Sequence, residues 1–340
     1  MFEARRVTYS PAVTLVPTYE CFNRCSYCNF RADPHQDRWL SLANAQQYLQ
    51  QAKQHGVIEA LILSGEVHPR SSRRTAWFQL IYDLCKLALS LGLLPHTNVG
   101  PLSEAEMSAL RSVNVSMGLM VEQVTPSLLQ SVHHHAPSKL PTLRLEQLEQ
   151  AGRLQIPFTT GLLLGIGETE QDRWDTLDAI AACHDRWGHI QEVILQPHQP
   201  GSRQVVGYEP FAADTLADFV TVAKQRLPPE IVIQIPPNLL DSKVYVLKAI
   251  ANGVRDLGGI GPLDEVNPDY PHPTAASLAG LLQSAGWELH PRLPIHKRYI
   301  NWLPDSLQTL THQWQQQVDS ASNILAGGKT ISRDFDLPLA

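Results

Sequence analysis

Between positions 12 and 235 the chain alternates short apolar runs with amphipathic stretches of helical length, and no other feature limits its fold so tightly. Runs of strand length fall at 12–17, 57–63, 94–99, 113–121, 157–164, 190–195 and 231–235. The segments between them predict helices at 41–55, 75–90, 103–111, 141–151, 170–187 and 211–226. Ser41 caps the first of these and Gly56 stops it, the usual pair of boundary signals. Alternation at this rhythm specifies parallel βα units. Strands that are apolar almost throughout specify a sheet covered on both faces. Six or seven such units, with no separate glycine-rich nucleotide fingerprint, favour an α/β fold that is an incomplete or complete TIM barrel over a doubly wound sheet. Glycine and proline then thicken from Asn252 through Pro262 and again at Val266-Asn267-Pro268, which reads as turns. The expected layout is therefore a core barrel over 8–250, a C-terminal extension over 251–320 that closes it with loops and helices, and a loose tail over 321–340.

Composition excludes several classes of function. Apolar residues at 43% and charged residues at 18% describe an ordinary globular chain, and a formal charge of −6 leaves no footprint for nucleic acid or an anionic membrane. No apolar run approaches the ~20 residues that span a bilayer. Met1 to Val7 lacks the apolar centre of a signal peptide, so a cytoplasmic location is expected. Five cysteines, three of them clustered, suit a reducing compartment better than a disulfide framework. Cys85 and Cys183 fall inside predicted helices and read as small core hydrophobes.

The cluster is Cys21-Phe22-Asn23-Arg24-Cys25-Ser26-Tyr27-Cys28, on the loop after the first strand. Thiolates so spaced can all address one soft metal centre. Four-cysteine sites leave no metal position open, whereas three cysteines with no fourth nearby fit an iron–sulfur cubane with one iron free. A zinc site completed by His35, or buried thiols without metal, explains the same spacing. At the end of the second strand stands Ser64-Gly65-Glu66, by itself a common turn. The fifth strand runs into Gly161-Leu162-Leu163-Leu164-Gly165-Ile166-Gly167-Glu168, whose glycines expose backbone where a flat ring could lie. Glu122 ends the fourth strand, and Arg144 sits on the helix before the fifth, where a solvated helix face is the plainer reading. His133-His134-His135 cannot converge on one ion, because successive helical residues point about 100° apart, and it reads as mostly surface.

The cysteine spacing, with Tyr27 before the third cysteine and an apolar strand before the first, resembles the signature of the radical S-adenosylmethionine (SAM) enzymes. That resemblance implies a partial (β/α)6-type TIM barrel of the radical SAM kind with a C-terminal extension, a [4Fe-4S] cluster on Cys21, Cys25 and Cys28, and SAM on its free iron. It further implies that Ser64, Gly65 and Glu66 meet the SAM amino group, with Ser64 a departure from the family's usual first glycine. Gly161, Leu163, Gly165 and Glu168 match the family's adenine-binding motif, with Leu163 in place of isoleucine. Glu122 would take ribose hydroxyls, Arg144 the SAM carboxylate, and Tyr27 and Val193 would complete the cofactor's surroundings.

Further motifs narrow the resemblance to the deazaflavin-forming branch of that family. They include Pro17-Thr18-Tyr19-Glu20, Ser116-Met117-Gly118-Leu119-Met120-Val121-Glu122, Ala136-Pro137-Ser138-Lys139, His189-Ile190-Gln191-Glu192-Val193-Ile194 and Ile235-Pro236-Pro237-Asn238-Leu239. The branch implies a substrate that is an adduct of a tyrosine-derived 4-hydroxybenzyl group with 5-amino-6-(ribitylamino)uracil. It implies as partners a sister subunit that makes the adduct and a low-potential electron donor. His96, Asn98 and the loop from Asp256 to Asn267 are the candidate contacts to the uracil and ribityl groups. The sister subunit's own coupling reaction, another biotin-synthase-like radical reaction, and a zinc- or cluster-binding interaction protein are the alternative readings.

Overall fold

The computed structural model describes residues 5–204 and 209–326. In chain order its elements are β1 (Arg6–Leu15), α1 (Leu42–Gln54), β2 (Glu59–Leu63), α2 (Arg74–Ser90), β3 (Leu94–Asn98), α3 (Glu104–Arg111), β4 (Ser116–Gly118) and α4 (Pro141–Arg153). There follow β5 (Phe158–Leu164), α5 (Glu170–Trp187), β6 (Ile190–Pro197), α6 (Leu216–Arg226), β7 (Val232–Gln234), α7 (Lys243–Asn252), β8 (Asp256–Ile260), α8 (Ala275–Ser284), β9 (Glu288–Pro291) and α9 (Asp305–Ala326). All strand pairings among the described residues are parallel, in the order β2-β3-β4-β5-β6-β7-β8-β1, and β1 pairs back to β2. Eight strands thus close a complete barrel wrapped by helices. β9 pairs with Arg6–Tyr9 while β2 pairs with Ala12–Leu15, so one edge of β1 serves two strands in succession. Among the described residues no helix is long and apolar enough to cross a membrane.

The helices form where their boundary chemistry says. Ser41 accepts a hydrogen bond from the Asn44 amide at 3.2 Å, and Gly56 takes a left-handed φ of 78° after the helix ends. Ser103 and Glu106 make a reciprocal capping box on α3, and Thr169 and Asp172 make another on α5. Trp77 of α2 is fully buried against β2, and its indole N–H donates to Ser64 Oγ at 3.0 Å. The serine that departs from the family's usual glycine is therefore the anchor for the largest aromatic ring in that layer.

The expected six-unit partial barrel is extended in one place, by β8. Its sequence, Asp256-Leu257-Gly258-Gly259-Ile260, reads as a turn because of its glycines, yet it lies between β7 and β1 and closes the sheet. The glycines answer a packing demand. A Cβ on Gly259 would stand 3.1 Å from Ala12 Cβ, and one on Gly261 only 2.5 Å from the Ala12 carbonyl oxygen. The 251–320 segment thus contributes a barrel strand as well as closing loops and helices. The last helix, Asp305–Ala326, runs past the expected end of the extension at 320, and residues 327–340 of the expected tail lie outside the described residues.

β4 is shorter than the apolar run over 113–121 predicts, because the run contains a bulge. Leu119 N bonds Thr159 O, and Glu122 N bonds Gly161 O, so three residues of one strand oppose two of the other. The bulge ends on Glu122 with φ +67°, a left-handed backbone unusual for a residue with a side chain. Sheet alternation is thereby broken at the residue whose carboxylate faces the barrel mouth.

Candidate active site

The 21–28 loop lies over the C-terminal ends of the strands and is held by backbone bonds to two neighbours. Phe22 N bonds Glu66 O at 3.0 Å just past β2, while Arg24 N and Ser26 N bond His135 O and Val132 O at 2.7 and 3.0 Å. A Cβ on Gly65 would come within 2.2 Å of the Glu20 carbonyl oxygen, so only glycine lets the two loops cross this closely. Asn23 completes the junction. Its Nδ2 donates to Glu66 Oε2 at 3.0 Å and Ser138 Oγ at 2.8 Å, and its Oδ1 accepts from Ser138 N at 3.1 Å.

Cys21, Cys25 and Cys28 are unpaired thiols that line one wall of a cavity of about 310 Å³. Among the described residues no three His, Cys, Asp or Glu side chains converge as a single ion requires. His35 is turned away, with Nδ1 3.2 Å from the Arg73 guanidinium, so the zinc arrangement through His35 has no geometric support. A cubane makes a different demand, one thiolate on each of three irons, and so takes sulfurs that stand apart around a common space. Burial pushes the Cys21 thiol up to about 11, with the negative charge of Glu66 adding to it. Burial pushes Cys25 to about 12 against the pull of Lys139. Thiols so placed release their protons when metal cations take their place on sulfur, as the irons of a cluster would. The donor set fits one.

Opposite the thiols, four charged side chains stand in two pairs. Arg144 is 2% exposed, so the solvated-face reading does not hold. Its Nη2 meets Glu66 Oε1 at 2.9 Å, and its Nε donates to the Ser138 carbonyl at 2.8 Å. Lys139 Nζ meets Glu122 Oε1 at 2.5 Å. Burial and Arg144 press the Lys139 pKa down, but Glu122, Cys25 and Glu66 outweigh them and it ends above its ordinary value. Lys139 and Asn23 therefore belong to the site, although spacing gave them no role. Their only signal was the run Ala136-Pro137-Ser138-Lys139 and the loop position of Asn23.

Of the residues expected around the cofactor, Cys21, Cys25, Tyr27, Cys28, Ser64, Gly65, Glu66, Glu122, Arg144 and Leu163 all line this cavity. The others support it from behind. Gly161 keeps the wall thin, since a Cβ there would be 2.4 Å from Ile194 O. Gly165 and Gly167 both have positive φ, 90° and 106°, and Glu168 ties their turn together. Its two carboxylate oxygens accept from Gly165 N and Ile166 N at 2.7 and 2.8 Å, and Arg173 Nε neutralises it at 2.7 Å. Val193 faces the helix-covered core, and strand alternation makes Ile194 the residue that lines the cavity. Tyr27 bonds His133 Nε2 at 2.9 Å, so the first of the three histidines is buried rather than surface, while His134 and His135 are exposed. Burial, helped by Lys139 and Arg144, lowers His133 to about 3 and keeps it neutral.

The expected substrate contacts separate. Asn98 and Asn267 line the main cavity. His96 lies deeper, with Nδ1 2.7 Å from Ser116 Oγ, and burial lowers its pKa to about 3. Asp256 is at the other end of the barrel and lines neither this cavity nor the recess below it. As the first residue of β8 it accepts from Arg292 Nε and Nη2 at 2.6 and 2.8 Å and from Thr8 Oγ1 at 2.5 Å. Its lowered pKa reflects a burial cost that Arg292 overcomes. The residue is spent on the barrel floor.

A parallel barrel with a three-cysteine loop at its C-terminal face defines a radical SAM protein, and the sequence profile of the Radical SAM superfamily matches residues 15–180. Among solved structures, the FeFe-hydrogenase maturase HydG from Carboxydothermus hydrogenoformans shares the fold at a TM-score of 0.71 and 17% identity, over 92% of this chain and 78% of that one. Methylornithine synthase (PylB) does so at 0.62 and 15% identity, over 85% and 84%. Much nearer in sequence is the 7,8-didemethyl-8-hydroxy-5-deazariboflavin synthase of Trichormus variabilis, 60% identical over 92% of both chains. That of Synechococcus elongatus is 60% identical over 93% of this chain and 94% of its own, and that of Gloeobacter violaceus 55% over 94% and 98%. The chain belongs to this family of deazariboflavin synthases.

Proposed function

We propose that the chain converts the tyrosine–ribitylaminouracil adduct to 7,8-didemethyl-8-hydroxy-5-deazariboflavin (FO) with loss of ammonia. The observation that carries this is the pairing of the three-cysteine loop with the Glu66–Arg144 and Glu122–Lys139 pairs around one cavity, in a chain 60% identical to named synthases. Cys21, Cys25 and Cys28 would hold a [4Fe-4S] cluster, with SAM beside it. When bound, cluster and SAM together supply a 5′-deoxyadenosyl radical that abstracts hydrogen from the substrate. A low-potential donor would provide the electron, and the sister FO synthase subunit would provide the adduct.

The chain's own residues bind, orient and exclude water. Glu66 and Glu122 each offer a carboxylate already aimed by a cation, so ordering them on binding costs little. Arg144 is held by Glu66 and two backbone carbonyls and keeps a fixed position for an anionic group. Leu119, Met120, Leu163 and Ile194 make the wall between the pairs apolar, which keeps solvent from a reactive carbon radical. No acid–base dyad is needed at the hydrogen transfer itself, and positioning accounts for the protein's part.

The test is anaerobic reconstitution with iron and sulfide, then incubation with SAM, dithionite and the adduct. A fluorescent deazaflavin together with 5′-deoxyadenosine is expected, with deuterium from the abstracted position carried into the deoxyadenosine. Consumption of tyrosine and free ribitylaminouracil without a partner would instead assign the sister reaction. SAM cleavage unaffected by either substrate would remove the deazaflavin reading.

A further inference from the structure

Below the main cavity lies a second one of about 180 Å³, inside the barrel, which the reading above leaves without a role. The two share Leu61, Leu63, Asn98, Met120, Ile194 and Val266, so the lower is a recess opening from the upper. Its walls come from inward positions of β1, β2, β3, β5, β6, β7 and β8, and from the loop after β8.

Most of the charge in the recess is already committed. Arg292 is held by Asp256 and by Glu192 at 2.7 Å, and Glu192 also meets His296 Nε2 at 2.8 Å. Asp264 accepts from Val266 N, Asn267 N and Asn238 Nδ2, and Glu265 accepts from Tyr19 at 2.6 Å. The side-chain amides of Asn98 and Gln234 are not committed. Both face the recess without a hydrogen-bond partner among the described residues, and Gln234 is only 9% exposed. Buried amides are satisfied in native proteins by protein, water or ligand. Beside them Glu59 is fully enclosed, and its burial, opposed by Arg292, raises its pKa to about 7. Its carboxyl is thus able to donate as well as accept.

We propose that this recess takes the polyhydroxylated chain of the substrate, with Asn98 and Gln234 as its principal contacts and Glu59 at its inner end. The assignment rests on the FO synthase reading and extends it. A hydroxyl both donates and accepts, as do two amides and a protonated carboxyl, so a run of hydroxyls is matched group by group. No Phe, Tyr or Trp lines the recess among the described residues, whereas Tyr27 and Phe30 line the upper cavity. The rings lining the recess are the imidazoles of His96 and His272, smaller faces than Tyr27 and Phe30 offer above, which favours the polyol as the part that descends.

The experiment compares two ligands on cluster-loaded protein with SAM present. One is the ribityl adduct and the other is the same adduct with a methyl group in place of the ribityl chain. Wild type should bind the ribityl adduct at least about tenfold more tightly, on the scale of one lost charge-free polar contact set. Gln234→Leu should bring that ratio close to one. Leu263→Trp, which fills the recess from a loop and leaves the barrel wall intact, should exclude the ribityl adduct and still admit the methyl analogue. Retention of the wild-type ratio in both variants overturns the polyol assignment and leaves the FO synthase reading standing. Wild type that binds neither adduct overturns that reading, and this assignment with it.

Discussion

At the C-terminal ends of the strands, Glu66, Glu122, Lys139 and Arg144 stand around an open cavity, while at the N-terminal end Glu192, Asp256, Arg292 and His296 fill the floor of the barrel. Both groups are buried and both join carboxylates to cations. They differ in what remains unsatisfied. On the floor Arg292 is enclosed by two carboxylates and a backbone carbonyl, so its charge is spent inside the protein. At the mouth each pair borders the cavity that the three thiols line, and burial holds the protons of two of them, Cys21 and Cys25. The difference teaches that an ionic cluster is read as functional by the reactive groups left uncommitted beside it, here the three thiols, not by its residue types.

Removing one thiol tests the comparison most severely. Cys25→Ala should abolish cluster incorporation and 5′-deoxyadenosine formation, whereas Cys85→Ala and Cys183→Ala should keep both. Iron and sulfide analysis, with the visible spectrum, decides it, and stoichiometric zinc without sulfide would end the cluster reading.

On the floor the expected loss is in folding. Arg292→Met leaves Asp256 without a cation and Glu192 with His296 alone, and should cost ~3–5 kcal/mol in urea unfolding. Asp256 has a depressed pKa in the wild type, so its contribution is present above its ordinary value of 3.8 and fades as pH falls through the lower folded value. In the variant the unpaired carboxylate is relieved by protonation, so the stability gap should narrow below about pH 4. A gap that widens in acid would mean Asp256 is not the partner that matters.

At the mouth the same kind of change should act on binding. Glu122→Gln should keep the cluster spectrum and weaken SAM binding by ~1.5–3 kcal/mol, roughly 10- to 150-fold. Arg144→Ala should do likewise and also lower stability, because Glu66 loses its partner. Unchanged SAM affinity in both would make the mouth a structural network like the floor. The smallest effect belongs to Tyr27→Phe, which leaves buried His133 without its hydroxyl partner. About 1 kcal/mol of stability should be lost in thermal unfolding, with SAM affinity nearly intact.

Much of this molecule is local in origin and so was legible along the chain. Ser41 and Gly56 bound a helix through bonds made within one turn, and apolar runs of strand length become parallel strands because nothing else buries them from both sides. The loop carrying Cys21, Cys25 and Cys28 could be placed at a strand end for the same reason. Three things were settled only by tertiary contact. β8 looks like a turn because its glycines serve the close approach of β1, a partner more than two hundred residues away. Glu122 faces the cavity because a bulge against β5 reverses its alternation. Asp256 was expected among substrate contacts and instead meets Arg292, since a carboxylate's role depends on which cation the fold brings to it. Propensity and spacing act over a few residues, whereas register and charge pairing are decided only when the barrel closes.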